Sequence, residues 1–497
     1  MNNNNYNHRS FVQLNGSEII VESDKLDIFY TDPLPRQKWK PVNTLKPYNE
    51  LKKLVLDIET AGLDSLSDRI FAIGCLNELG EQTVFMESDE PKLLQQFINH
   101  LQQSSPDVVL TFNGTDFDLP FIATRCELYN ISHPFQIRNK PRIIRTAQVF
   151  GKQLEVYEVF IENSQHVDIY ICLLRWDFVA KKLSQSRSLK SAVLEMGLRE
   201  DARLVLSYQD IQNCWQQGAG SAGWQQIKEY LIFDLLDTNL IADKLVPSYY
   251  YESLIVPRMN LQQLALAGNA TKWQRVLESQ YPGAGPDTEE KAQFEGGLVL
   301  SVPGLHRNIG KIDVSSLYPS IMLKYGICSH KDTERVALGI LEYLTTERLK
   351  LKKLGKAGDA TAKQAEGALK VLINSLFGFY GTSGVSFNDF VAAALITAYG
   401  RRILRFMIAI VEQEGGVPVE CDTDGIFFSH SEPTRVFEIL QAALPVGINI
   451  ELEVLAKAIF VPERGAKNYV IWHEDGSITA KGSWRSRNRS MLEKEFP

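Results

Sequence analysis

The sequence has no C-x-x-C pair. Its six cysteines, at positions 75, 126, 172, 214, 328 and 421, are scattered, which argues against a zinc or iron–sulfur site and fits a reduced, cytoplasmic setting. No signal peptide is visible, because the N-terminus is polar and asparagine-rich and reads as disordered. No uninterrupted apolar run is long enough for a membrane span. The most apolar stretch, around Val391 to Val411, is broken by Arg401, Arg402 and Arg405, so it reads as a buried or amphipathic helix and no membrane partner is expected. There is no excess of positive charge either. The formal net charge is −7, which gives no overall electrostatic reason to expect nucleic acid. No internal repeat of useful length is present.

What remains is a globular composition, with 44% hydrophobic and 23% charged residues. At 497 residues the chain exceeds a single core, and two to four domains are expected. Strand-like and helix-like segments alternate from about 50 to 245, as in an α/β domain. Residues 218–223 read as a flexible loop. The Pro/Gly-rich segment Tyr281 to Pro286 reads as a linker between major domains, and the turn at 355–359 separates two helices of an αα-hairpin. Lys and Arg gather at Arg348–Lys356 and at Lys481–Arg489, a pattern that a solvated helix face also produces.

Carboxylates carry the chemistry. LVLDIET over 54–60 is a buried-strand pattern with Asp57 and Glu59 on one face. VVLTFNGTDFDLP over 108–120 runs a second apolar strand into Asn113 and Asp118. In YLIFD over 230–234, Tyr230 and Asp234 lie one helical turn apart. Taken singly, each has a structural reading as well: Asp118 as a helix cap, Asp234 as an exposed helix acid. GKIDVSSLYPSI over 310–321 delivers Asp313 at a strand end, with Pro319 placed where a helix begins. KVLINSLFG over 370–378 sets Lys370, Asn374 and Phe377 on one helix face, and Arg348 and Lys352 share a face of the preceding helix. An αα-hairpin can aim Arg348, Lys352 and Lys370 at one polyanion such as a triphosphate. PVECDTDGIFF over 418–428 reads as a β-hairpin turning at Asp424-Gly425, with Asp422 and Asp424 two apart. Two like charges side by side need a cation or donors, unless the turn is simply solvated.

In order, D-x-E, N-x-x-x-F-D and Y-x-x-x-D resemble the three motifs of the DnaQ-like, RNase H-like 3′–5′ exonucleases. D-x-x-S-L-Y-P-S, K-x-x-x-N-S-x-x-G and D-T-D resemble motifs A, B and C of the family B DNA polymerases, and the joint resemblance covers roughly residues 50 to 485. It implies an α/β and α+β multidomain chain. A short, partly disordered N-terminal segment (1–47) precedes an RNase H-like exonuclease domain (48–250). A linker and the first part of a palm (251–335), a short two-helix fingers insertion (336–386) and the second part of the palm (387–497) follow.

The resemblance also implies site residues. Asp57, Glu59, Asp118 and Asp234 are the exonuclease metal ligands and Tyr230 orients the attacking water, while Asp168 is structural. Asp313 and Asp424 ligate two Mg²⁺ ions, with Mn²⁺ as a substitute, and Asp422 supports them. Backbone N–H groups near Ser316 and Leu317 cradle the phosphates of a dNTP. Arg348 and Lys352 contact the triphosphate, and Lys370 neutralises the departing pyrophosphate. Tyr318 is the steric gate against a ribose 2′-OH, and Asn374 and Phe377 line the nascent base pair. Weaker marks are FEGG over 294–297, Lys467 to Tyr469, and Lys481-Gly482. The implied partners are primer–template DNA, a single-stranded 3′ end in the exonuclease site, and a processivity partner.

The chain departs from the family pattern at Phe377 (commonly Tyr), at Gly425 (commonly Ser) and at Ala466 before Lys467 (commonly basic). Asp313 lies only 79 positions after Asp234, which leaves little room for the insertions of protein-primed relatives and favours a nucleic-acid primer. Fifteen residues follow Gly482, too few for a helical thumb. The expectation is therefore a weak, salt-sensitive grip on duplex, helped by Arg485, Arg487 and Arg489. Two alternatives stand beside polymerase activity: a polymerase-like structural subunit that has lost catalysis, and a protein acting mainly as an exonuclease.

Overall fold

The computed structural model describes residues 9–14, 17–22, 28, 48–149, 152–180, 183, 186–200, 203–285, 292–463 and 467–482. The polar start of the chain, Ala466 and the basic run Arg485 to Arg489 lie outside the described residues. The chain divides into two compact units, one of residues 41–268 with 348–370, the other of 1–40, 269–347 and 371–497.

The N-terminal segment contributes strands β1 (Arg9–Leu14) and β2 (Ser17–Glu22) to the second unit. The first unit is built on β3 (Lys53–Thr60), β4 (Ile70–Asn77), β5 (Gln82–Met86), β6 (Val108–Thr111), β7 (Phe135–Val149), β8 (Lys152–Ile161) and β9 (Gln165–Asp168). Its main sheet has the order β5-β4-β3-β6-β9, with β3, β6 and β9 parallel and β4 and β5 antiparallel. β7 and β8 form a separate two-stranded ribbon. Helices α1 (Glu90–Ser104), α2 (Asp118–Leu128), α3 (Ile169–Ala180), α4 (Leu189–Glu195), α5 (Tyr208–Gln216), α6 (Ala222–Ser253) and α7 (Leu261–Leu266) complete it. The β3 interior is apolar because Leu54, Leu56 and Ile58 enter the core while Asp57 and Glu59 keep part of their surface open. This strand thus carries its two acids on the face opposite its packing side chains.

In the second unit, α8 (Asn269–Gln280) leads to β10 (Ala292–Phe294), which pairs with β1, and then to β11 (Val299–Ser301) and β12 (Gly304–Val314). α9 (Leu317–Tyr325), the hairpin of α10 (Val336–Lys356) and α11 (Ala360–Tyr380), and α12 (Phe390–Gln413) follow. The chain continues with β13 (Val417–Asp422), β14 (Gly425–Ser429), α13 (Pro433–Ala443), β15 (Ile450–Val461), β16 (Tyr469–His473) and β17 (Ile478–Lys481). The antiparallel sheet runs β11-β13-β14-β12-β15-β16-β17. The tip of the α10–α11 hairpin, residues 348–370, groups with the first unit. The hairpin turns at Gly358, whose φ of 104° suits glycine.

Two local expectations change. The segment read as an interdomain linker is tied down within the second unit: Tyr281 packs its ring on Phe387, and its hydroxyl donates to Asp332 Oδ1 at 2.5 Å. The break between units falls instead at Gly268/Asn269. The D-T-D hairpin turns on Thr423 and Asp424, not Asp424 and Gly425, because Asp422 and Gly425 face each other as a strand pair and Thr423 takes φ 64°. Asp424 therefore belongs to the turn and does not share a strand face with Asp422. Among the described residues, no helix is long and apolar enough to cross a membrane.

Candidate active sites

In the first unit, the end of β3 and the middle of α6 bring one ligand atom each from Asp57, Glu59 and Asp234 to within 4.8 Å of one another. Asp118, the first residue of α2, is buried and accepts the Ile58 N–H at 3.2 Å, which fastens it between the two acids of the strand. Burial pushes all four acids up, Glu59 to about 8, Asp118 to about 7, and Asp57 and Asp234 in the same direction; neighbouring carboxylates add to it at Asp57, Glu59 and Asp118, while Arg203 opposes it at Asp234. Such a set is strongly disfavoured as free anions and is relieved by a cation. Asp168 is buried and accepts the backbone N–H of Asn113, Thr115 and Tyr170 at 2.9, 2.9 and 3.0 Å. It holds the loop that leads into α2, and its charge adds to the upward push on Asp118.

Three basic groups attend this cluster that sequence reasoning did not find. Lys190, in the first turn of α4, donates to the Tyr230 hydroxyl at 2.5 Å and lies 4.3 Å from its ring centroid. Burial lowers the Lys190 pKa. Arg203 donates to Asp234 at 2.6 Å and to the fully buried Asp237 at 2.5 Å, and Arg199 reaches Asp237 at 2.6 Å. Asp237, one helical turn after Asp234, was the available signal. The two arginines have no fixed spacing from it.

In the second unit, Asp313 ends β12 beside β14, paired in register with Gly425. A Cβ at Gly425 would lie 2.5 Å from Asp313 Oδ1, so glycine leaves this carboxylate its room. Burial and Asp424 push Asp313 up to about 6, and burial raises Asp424 too. Asp422 is turned onto Lys467, whose Nζ lies 2.6 Å from its Oδ1. Among the described residues, the acids of this second unit do not close as tightly as the first trio. Lys311, two residues before Asp313 on the same strand face, lies 3.6 Å from it and pairs with Glu453. Period-2 alternation could have flagged that lysine.

Tyr318 stands in the first turn of α9, after Ser316 at φ 51°. Its ring centroid is 4.4 Å from that of Phe377. The link between β10 and β11 is anchored to α12: Thr397 donates to Glu295 O at 2.7 Å, and Arg401 donates to Glu295 O at 2.9 Å and to Gly296 O. Phe294 packs edge-on against Phe377. Lys370 and Asn374 are exposed on α11. Arg348, expected to reach a triphosphate, is committed across the hairpin to Glu366 at 2.7 Å, with 12% and 19% of the two side chains exposed. Arg348, Lys352 and Lys370 belong to the first unit, and Asp313, Asp422 and Asp424 to the second.

The chain thus carries one set of acids at the end of the central strand of a mixed sheet and a second set at a hairpin of an antiparallel sheet. Known proteins share this arrangement. Residues 49–191 match the family model for the DNA polymerase family B exonuclease domain. The chain is 26% identical over 476 residues to a DNA polymerase of Archaeoglobus fulgidus, covering 88% of this chain and 57% of that one. It is 24% identical over 496 residues to a DNA polymerase of Pyrococcus glycovorans, with 87% and 61% covered. A solved family B DNA polymerase from Pyrobaculum calidifontis shares the fold, with a TM-score of 0.61 at 21% identity, covering 87% of this chain and 60% of that one. Together these likenesses support a family B DNA polymerase with an exonuclease domain. The chain spans about three fifths of the length of these relatives.

Proposed function

We propose that this chain is a DNA-directed DNA polymerase that extends a nucleic-acid primer and removes mispaired 3′ ends with its own 3′–5′ exonuclease. The observation that carries the reading is the presence of two carboxylate centres, one in each compact unit, at the positions of the motifs that resemble the family's.

Divalent ions, Mg²⁺ or Mn²⁺, fit both. Asp57, Glu59 and Asp234 with Asp118 would hold them in the exonuclease, and Asp313 and Asp424 in the palm. Bound there, such ions supply charge neutralisation and a more acidic attacking oxygen. In the exonuclease, Tyr230 orients the water that attacks the terminal phosphodiester. Its hydroxyl is itself held by Lys190. In the palm, the N–H groups after Asp313, near Ser316 and Leu317, cradle the triphosphate of the incoming dNTP. Lys370 meets the departing pyrophosphate with Lys352, and Arg348 joins them once released from Glu366. Asn374 and Phe377 line the new base pair, Tyr318 excludes a 2′-OH, and Asp422 steadies the hairpin through Lys467.

In domain terms, residues 48–250 act as the exonuclease, 251–335 and 387–497 as linker and palm, and 336–386 as the fingers. Partners are primer–template DNA and a frayed single-stranded 3′ end, with a processivity partner. The free cysteines suit the cytoplasm. The test is extension of a labelled primer–template by this chain with dNTPs and Mg²⁺. Nucleotide addition directed by the template supports the reading. Degradation alone, or neither activity, overturns it.

A further inference from the structure

We infer that Gly297 and Gly400 form a slot that fixes the depth of the Tyr318 ring, and so set sugar selectivity from outside the segments that resemble motifs A, B and C. Gly400 lies within α12, where glycine is destabilising relative to alanine and is not required by a positive φ. The reason for a glycine there is close approach. A Cβ at position 400 would lie 3.0 Å from Tyr318 Cε1 and 3.4 Å from Leu317 Cδ2. At the far end of the ring, a Cβ on Gly297 would come 2.9 Å from the Tyr318 hydroxyl and 3.1 Å from Thr423 Cγ2. The ring is also flanked by Phe377, at 4.4 Å between centroids. Gly297 is held in place by its neighbours, because Glu295 O and Gly296 O accept from Thr397 and Arg401. Two glycines from separate elements thus let the ring recede, and any side chain at either position pushes it out of the slot.

This rests on Tyr318 facing the nucleotide sugar. Its prediction differs from that of a merely structural glycine: in α12, alanine alone would stabilise the helix and leave nucleotide selection unchanged. Filling the slot drives the ring toward the sugar. Single-nucleotide insertion is measured with a dNTP and the matching rNTP for the parent, Gly400→Ala, Gly297→Ala, Tyr318→Ala, Tyr318→Phe and the double variants, with the melting temperature as a check on folding. Gly400→Ala is expected to raise KM for the dNTP about tenfold, the scale of a modest overpacking penalty, with little change in kcat and stronger rejection of the rNTP. Tyr318→Phe should relieve Gly297→Ala, whose closest contact is with the hydroxyl, but not Gly400→Ala, whose contact is with the ring. In a Tyr318→Ala background, Gly400→Ala should do nothing further. If Tyr318→Ala raises ribonucleotide use while the folded glycine variants keep the parental KM and sugar ratio, the slot inference is overturned and the gate stands. If Tyr318→Ala leaves the sugar ratio unchanged, the gate reading fails first and the inference with it. Should Gly400→Ala fail to fold, relief of Gly297→Ala by Tyr318→Phe decides: relief supports the slot, and its absence overturns it.

Discussion

Arg203 donates to Asp234 at 2.6 Å while its other nitrogen holds Asp237 at 2.5 Å, so one guanidinium ties a candidate metal ligand to a fully buried acid one helical turn on. The side chains of this set are 6%, 12% and 0% exposed. Removing a buried partner leaves uncompensated charge, typically at a cost of about 3–5 kcal/mol. Arg203→Leu should therefore lower the melting temperature by several degrees and weaken degradation of single-stranded DNA, with Arg203→Lys intermediate because it keeps charge but loses the fork. Thermal unfolding with a single-strand digestion assay checks this. A parental melting temperature in Arg203→Leu would contradict it.

The raised acids of the exonuclease cluster give stability a defined pH dependence when divalent ions are chelated. An acid whose folded pKa lies above its unfolded value binds more protons in the native state, so stability falls as pH rises between the two values. With Glu59 near 8 and Asp118 near 7 against ordinary carboxylates, the melting temperature in EDTA should decline from about pH 5 to pH 8. Added Mg²⁺ should restore it most at the upper end, because the ion binds the ionised set. Asp57→Ala with Glu59→Ala should flatten the decline. An equal slope in that variant would place the effect elsewhere in the molecule.

Lys370 and Arg348 should differ in what they contribute. Lys370 is exposed on α11, whereas Arg348 bridges α10 to Glu366 on α11. Lys370→Ala is expected to lower kcat for nucleotide addition by about 10²–10⁴-fold, as for loss of a general acid, with the melting temperature unchanged. Arg348→Ala should lower the melting temperature as well. Steady-state insertion kinetics beside calorimetry separate the two, and a destabilised Lys370→Ala would count against this division.

The carriers of the acids were legible because they obey simple periods. β3 alternates apolar and acidic residues, α6 spaces Tyr230 and Asp234 by one turn, and the α10–α11 hairpin has its glycine where the chain reverses. The hairpin turn was displaced by one residue. The Asp-Gly pair looks like a turn, but Gly425 is required by the close approach of Asp313, and Thr423 takes the left-handed position. Arg203, Lys190 and Glu453 were not legible, because each meets its partner across loops or strands with no fixed sequence spacing. Tyr281 was misleading: its Pro/Gly neighbours signal a linker, while its own ring and hydroxyl anchor the segment.

The central claim is that synthesis and degradation use separate carboxylate centres in one chain, and reciprocal variants on a labelled primer–template with Mg²⁺ and dNTPs test it most directly. Asp424→Ala should lose extension on the order of 10³-fold, the scale of several kcal/mol of lost charge stabilisation, and still shorten the primer. Asp57→Ala with Glu59→Ala should extend at the parental rate and leave the 3′ end intact. Extension by Asp424→Ala near the parental rate, or metal-dependent 3′–5′ digestion that persists in the double variant, would contradict the account.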